Sequence, residues 1–203
     1  MKKTGVLGGT FNPIHKQHLY LAECAFIQLK LDRILLIPSG VSYLKAGTDV
    51  LPSKIRYEMC ALAVRDVPYI TLSDIEIKRP GDSYTFETLT ELKALYPEDE
   101  FHFIVGTDTF FALDTWKEPE TIFKHSIITV ALRKDGQNID ETMVREKTEE
   151  YRKRYNAVIE TLTLKVSDLS SSMIRKIAAM EEDLSPYVPE RVAEYIKKNG
   201  LYR

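Results

Sequence analysis

The chain has 203 residues, 44% of them hydrophobic and 29% charged, with 28 Lys and Arg against 30 Asp and Glu. That is an ordinary globular composition, long enough to bury a core without disulfides or a structural metal. A net charge of −2 excludes a generally basic nucleic-acid binder, no apolar window reaches the ~18 residues of a membrane span, and the start MKKTGVLGGTF lacks the apolar stretch of a secretion signal.

Gly5-Val6-Leu7 is a short apolar run closed by Gly8-Gly9, the pattern of a buried parallel strand. From His18 onward, Leu21, Ala22, Ala25 and Leu29 recur at three- and four-residue steps on one helix face. Arg33 to Pro38 is a second apolar strand, and Pro52 to Val64 predicts a helix with Ile55, Met59, Leu62 and Ala63 inward. Tyr69 to Ile77 alternates as a strand or extended arm does, with a slip at Ser73-Asp74. Thr85 to Tyr96 predicts a helix stopped by Pro97, with Phe86, Leu89, Leu92 and Leu95 buried. Phe101 to Val105 is a strand followed at once by Gly106-Thr107-Asp108, and Ser126 to Leu132 is another. Asp140 to Tyr155 is dense in charge and reads as a solvated surface helix supported by neighbouring opposite charges. A last strand, Val158 to Val166, leads into a short helix from Ser172 to Met180. Pro189 opens a final helix that closes on Lys197, Lys198 and Gly200.

No repeat, linker or low-complexity tract interrupts this alternation. It predicts one α/β domain over residues 1–203, a mostly parallel sheet with helices on both faces, and a C-terminal helical portion over 170–203. Cys24 and Cys60 stand far apart with no Cys-x-x-Cys, as expected of buried thiols in a reducing compartment, here the cytoplasm.

In open α/β sheets ligands bind beyond the carboxyl ends of the strands, and three motifs fall there. The first is GGTFNPIHKQH. Gly8 and Gly9 let backbone approach a phosphate, Thr10 adds a hydroxyl, and Phe11 follows. His15 and His18 are spaced so that both face one point near the positive end of a helix. Converging imidazoles, hydroxyls and amides suit a phosphoryl group under attack. The loop alone also fits a tight turn with two solvent-facing histidines. A zinc pair lacks an HExxH frame and a third ligand, so no metal site is expected.

The second motif, LSSSMIR, places Ser170, Ser171 and Ser172 before a helix, with Ser170 or Ser171 as N-cap. The remaining amides, a free hydroxyl and Arg175 would form an anion cradle, although plain capping explains the serines by themselves. The third comprises Ser83-Tyr84-Thr85, Gly106-Thr107-Asp108 and the single tryptophan, Trp116. Asp108, at a strand end, is placed to accept bonds from ribose hydroxyls. Trp116 lies in a polar stretch where its ring could stack on a pyridine, against the common alternative of a core residue.

The first two motifs resemble GGTFDPIHxGH and ISSTxIR of the nucleotidyltransferase superfamily. Together with SYTFETL, FIVGTD, the single Trp and the terminal VPERVAEYIKKNGLYR, the chain resembles the bacterial nicotinate mononucleotide adenylyltransferases over nearly its whole length. The resemblance implies a Rossmann-like fold and transfer of AMP from ATP to nicotinate mononucleotide, giving deamido-NAD and pyrophosphate. It implies that His15, His18 and Arg175 are catalytic, and that Gly8, Gly9, Thr10, Phe11 and Ser170 to Ser172 join them in binding ATP. It further implies that Lys45, Ser83, Tyr84, Thr85, Gly106, Asp108 and Trp116 bind the mononucleotide, and that Mg²⁺ enters with ATP. Backbone donors and Thr85 suit a carboxylate, which only accepts hydrogen bonds, better than a carboxamide. Three departures stand out: Asn12 for the usual aspartate, Gln17 for the glycine before the second histidine, and Val41-Ser42-Tyr43-Leu44-Lys45 where the family carries PPHK.

The rivals are another acceptor (nicotinamide mononucleotide or phosphopantetheine) and an ATP-binding sensor without turnover, which Gln17 and the altered loop motivate. A dinucleotide-binding dehydrogenase is disfavoured because no GxGxxG opens the first helix. The expected partners are small-molecule substrates, with neither nucleic acid nor membrane; nothing in the sequence sets a homo-oligomeric state.

Overall fold

A computed structural model describes residues 1–40, 50–134, 141–165 and 169–203, with the backbone alone at 133 and 134. The chain order is β1 (Lys3–Gly9), α1 (Lys16–Gln28), β2 (Arg33–Pro38), α2 (Ser53–Val64), β3 (Ile70–Leu72), α3 (Ile75–Lys78), α4 (Thr85–Leu95), β4 (Glu100–Gly106), α5 (Thr107–Ala112), α6 (Pro119–His125), β5 (Ile127–Lys134), α7 (Glu141–Tyr155), β6 (Ile159–Lys165), α8 (Ser171–Ala179) and α9 (Glu190–Lys198). A single 3₁₀ turn, Leu113–Thr115, follows α5. The six strands form one sheet in the order β3-β2-β1-β4-β5-β6. Pairing is parallel between β1 and β4, between β4 and β5, and between β5 and β6. The order reverses at β1/β4, as in doubly wound nucleotide-binding sheets.

The chain falls into two compact units: Met1–Leu7, Leu21–Leu35 and Tyr84–Val166 form one, and Gly8–Tyr20, Leu36–Ser83 and Ser167–Arg203 the other. The first has a core of Val6, Ala22, Ala25, Ile34, Phe101, Ile104, Ile128 and Val130. Its amino-terminal strand ends are joined by polar groups: Asp99 Oδ2 accepts from Arg33 Nη2 at 2.8 Å and from the Thr4 hydroxyl at 2.7 Å. The second unit buries Phe11, Ile14, Leu36, Met59, Cys60, Val188, Val192 and Ile196. Its last helix ends with Gly200 at φ 59°, which lets the Leu201 N–H return to Ile196 O at 3.0 Å.

Several expectations change; on α4 Leu89 and Leu92 are buried as expected, but Phe86 is only half-buried and Leu95 is exposed, because it lies in the last turn of the helix. The arm from Tyr69 to Ile77 divides into β3 and the one-turn helix α3, the break falling at the Ser73-Asp74 slip. The polar stretch Asp114 to Lys117, which reads as a surface loop, is entered by the 3₁₀ turn and flanked by the short helices α5 and α6; segments this short carry too few turns to show a period. On α2 the buried face is Arg56, Met59, Cys60, Ala63 and Val64, while Ile55 and Leu62 are half-buried.

Candidate active site

The second unit contains both phosphate-type motifs. Gly8 is exposed, and an added Cβ there would meet nothing within 4 Å. Gly9 is different: its Cβ would lie 2.9 Å from the buried Phe11 ring, so any side chain there has to displace that ring. Phe11 is buried and left-handed at φ 47°. Arg56, itself buried, fastens the loop from below. Its Nη1 donates to Thr10 O at 2.7 Å, its Nη2 to Ser39 O at 2.6 Å and Gly40 O at 2.9 Å, and its Nε to Leu51 O at 2.9 Å. Burial lowers the Arg56 pKa, opposed by the coulombic effect of neighbouring groups, and the ring of carbonyls compensates the lost hydration.

Asn12 is buried, and its Oδ1 accepts from the Leu51 N–H at 3.3 Å and the Tyr202 hydroxyl at 2.9 Å. Both bonds need only an acceptor oxygen, which the amide supplies as an aspartate would. His15 is 5% exposed, and burial lowers its pKa to about 4, so the ring is neutral at pH 7. Its Nδ1 is buried with no hydrogen-bond partner among the described residues. The His18 ring stacks on it at 3.6 Å between centroids. His18 Nδ1 accepts the His15 N–H at 3.2 Å, which leaves the proton of a neutral ring on Nε2. Gln17 is half-buried and lines a surface groove of about 390 Å³ with Tyr20, Met173 and Tyr187.

Helix α8 docks onto this loop. Ser170 is the N-cap, accepting the Met173 N–H at 3.2 Å. The Ser171 hydroxyl donates to Pro13 O at 2.9 Å, and Arg175 Nη1 donates to Asn12 O at 3.0 Å while its Nη2 reaches Ser172 Oγ at 3.2 Å. Gly8, Gly9, Thr10, Phe11, His15, His18, Ser170, Ser171, Ser172 and Arg175 therefore share one unit. Ser83 lies in it too, with a buried hydroxyl that has no partner among the described residues. Lys45 and its loop lie outside the described residues.

The first unit contains the rest. Tyr84 is extended at φ −116° and ψ 136°, so Thr85 opens α4. Gly106 passes directly from β4 into α5, which puts Asp108, exposed, in that helix's first turn. Trp116 ends the 3₁₀ turn, half-buried, with its ring edge-on to Phe103 at 6.4 Å. Lys117 Nζ lies 4.2 Å from the Tyr84 ring centroid and 5.6 Å from that of Phe86, which joins the Trp116 segment to the start of α4.

Sequence reasoning missed Arg56 and Lys117. Arg56 had a legible signal, since 56, 59, 60 and 63 fall on one helix face and three of those positions are apolar. Lys117 had none, because its ring partners are far away in sequence. No group of three or more His, Cys, Asp or Glu able to hold a metal occurs among the described residues. Nor is any described helix long and apolar enough to cross a membrane.

The sequence model of the family described as cytidylyltransferase-like matches residues 6–177. A protein of Lachnoclostridium phytofermentans, named "Probable nicotinate-nucleotide adenylyltransferase", is 38% identical over 202 residues, 100% of each chain. One of Clostridium acetobutylicum with the same name is 37% identical, again over 100% of both. Among solved structures, the Plasmodium falciparum nicotinic acid mononucleotide adenylyltransferase complexed with NaAD superposes with a TM-score of 0.79 at 21% identity, covering 100% of this chain and 98% of that one. This last likeness is one of fold.

Proposed function

The chain belongs to the cytidylyltransferase-like family and to the nicotinate-nucleotide adenylyltransferases within it, and from that premise we propose that it transfers AMP from ATP to nicotinate mononucleotide, giving deamido-NAD and pyrophosphate. The observation that carries the reading is the docking of α8 on the first loop. Ser171 and Arg175 bond to the Pro13 and Asn12 carbonyls, so two motifs suited to phosphate, distant in sequence, present their donors from one unit.

In this reading Gly8, Gly9, Thr10, Phe11, His15, His18, Ser170 to Ser172 and Arg175 receive the triphosphate of ATP. The 5′-phosphate oxygen of the mononucleotide attacks the α-phosphorus in line. A new P–O bond forms as the bond from that phosphorus to the oxygen bridging to the β-phosphate breaks, and pyrophosphate leaves with the electron pair. The attacking phosphate is already ionised at pH 7, so no general base is needed, and catalysis is positioning plus charge stabilisation. His18, its Nδ1 occupied by the His15 amide, offers an Nε2–H to the phosphoryl oxygens. Arg175, held by Asn12 and Ser172, contributes fixed positive charge. Mg²⁺ would supply further charge neutralisation; the described residues offer it no ligand cluster, so the reading has it arrive on the ATP phosphates.

On the acceptor side, Thr85 and the first-turn amides of α4 would receive the nicotinate carboxylate, Trp116 would stack on its ring and Asp108 would meet its ribose. The Lys117 ammonium beside Tyr84 adds a positive charge that favours a carboxylate over a neutral carboxamide. A reaction drawing on cellular ATP, and two free thiols, Cys24 and Cys60, support a cytoplasmic location.

The test is product formation with ATP, Mg²⁺ and either nicotinate or nicotinamide mononucleotide, the dinucleotides being separated chromatographically. Strong preference for nicotinate is expected. Comparable or reversed preference overturns the acceptor assignment, and ATP binding without any product overturns catalysis in favour of a sensor.

A further inference from the structure

Asp108 and Trp116 lie on one continuous stretch, α5 followed without a break by the 3₁₀ turn. Leu113 N–H bonds to Phe110 O, and Trp116 N–H bonds to Leu113 O at 3.2 Å, so the two pieces meet at a hinge near Ala112 and Leu113. Neither piece is long enough to hold its shape alone. Their geometry has to be imposed by something packed against the hinge.

That element is α7, expected from its charge density to be a plain solvated helix. Instead its Tyr151 is fully buried. The hydroxyl lies 2.9 Å from Phe110 O and 3.1 Å from Asp114 Oδ1, and it accepts the Asp114 N–H at 3.4 Å. Its ring meets Phe110 edge-on at 5.3 Å. A phenol has one proton for those two acceptors, so the Asp114 carboxylate needs a second donor. Lys147 Nζ supplies it, bonding Asp114 Oδ2 at 2.9 Å and lying 4.7 Å from the Tyr151 ring centroid. Burial pushes the Tyr151 pKa up to about 12, so the phenol keeps its proton. Burial opposes ionisation of Asp114, but the hydrogen bonds from Lys147 and Tyr151 prevail and hold its carboxyl below the ordinary value.

We propose that Tyr151, Asp114 and Lys147 form a positioning node that sets the angle between the helix bearing Asp108 and the turn bearing Trp116, and so the affinity for the pyridine mononucleotide. The proposal rests on the reading that Asp108 and Trp116 hold the acceptor. None of the three residues is assigned a contact with substrate. They act through the hinge, gripping the carbonyl at the end of one piece and the side chain and amide in the middle of the next.

Trp116 is the only tryptophan, so fluorescence excited on the long-wavelength edge, where the 11 tyrosines hardly absorb, reports on the platform alone. The variants are Tyr151→Phe, which keeps the ring and removes the grip, and Lys147→Met, at the solvent edge of the node. Tyr151→Phe is expected to raise KM for nicotinate mononucleotide roughly tenfold, with kcat and KM for ATP changed less than about twofold. Acrylamide quenching of Trp116 in the free protein should rise in step. Lys147→Met should give the same pattern at about threefold, and it decides the matter by itself if Tyr151→Phe fails to fold. Folded variants with unchanged quenching and unchanged KM overturn the node, as does a parallel loss in kcat and in both KM values, the mark of general destabilisation. The quenching arm needs no substrate. A wild-type protein that ignores nicotinate mononucleotide therefore refutes the functional reading, while increased quenching in the variants still supports control of Trp116 by the node.

Discussion

The residues assigned to ATP and those assigned to the acceptor are held in contrasting ways. In the second unit the protein ties its own site down: His15 is buried under the His18 ring, His18 Nδ1 takes a backbone amide, and Ser171 and Arg175 are bonded to loop carbonyls. In the first unit Thr85 and Asp108 stand in the opening turns of helices, and Trp116 at the end of a short turn, half-buried or exposed. The stiffness there comes from behind, through Tyr151 and Asp114. The contrast matches the two tasks. Stabilising charge on a phosphoryl group works through dipoles and donors fixed beforehand, whereas choosing an acceptor needs a surface that a substrate can reach.

The sharpest way to break this comparison is His18→Ala. It should lower kcat by about 100-fold or more with the fold intact, on the scale of losing an oxyanion donor, and a folded variant keeping more than about a tenth of wild-type turnover removes His18 from the chemistry. Trp116→Ala and Gly8→Ala sharpen the contrast as a pair. The first should raise KM for nicotinate mononucleotide about tenfold and spare that for ATP, in keeping with the loss of a stacking platform. The second should raise KM for ATP severalfold at unchanged thermal stability, since the added methyl meets no protein atom within 4 Å; steady-state kinetics with each substrate varied in turn check both, and crossed effects would dissolve the division of labour.

Lys117→Met should narrow the preference for nicotinate over nicotinamide mononucleotide by about fivefold, read as the ratio of the two kcat/KM values. A further effect concerns stability. His15 has its pKa lowered by burial to about 4, against 6.5 for the unperturbed ring. The unfolded chain therefore binds more protons than the folded one between those values, and the contribution of the neutral ring is complete above pH 6.5 and declines as the pH falls toward 4. Relative to His15→Asn, the wild type should lose about 2 kcal/mol of unfolding free energy between pH 7.5 and 5, measured by denaturant titration. A pH-independent gap would mean that His15 is not buried as a neutral ring.

Much of this was legible in residue order. Continuous apolar runs marked β1, β2, β4 and β5, and Ser170 and Gly200 marked the ends of helices. The two phosphate-type motifs stood out because glycine pairs, spaced histidines and capping serines are rare in such order. Arg56 and Tyr151 were passed over for one reason. A charge on an apolar face and an aromatic in a charged run look like exceptions to a pattern, and their partners lie in other segments. Local periodicity cannot show four backbone carbonyls waiting for one guanidinium, or a hinge waiting for one phenol.

Sequence alone determined the α/β alternation, the chemistry offered at each strand end and the family, because these depend on residue type and local spacing. Tertiary structure alone decided that α8 closes on the first loop, that His15 is neutral, that Asn12 serves as an acceptor and that α7 grips the Trp116 turn. Each of those rests on desolvation or on bonds between segments far apart in the chain, and neither has a signature in local order.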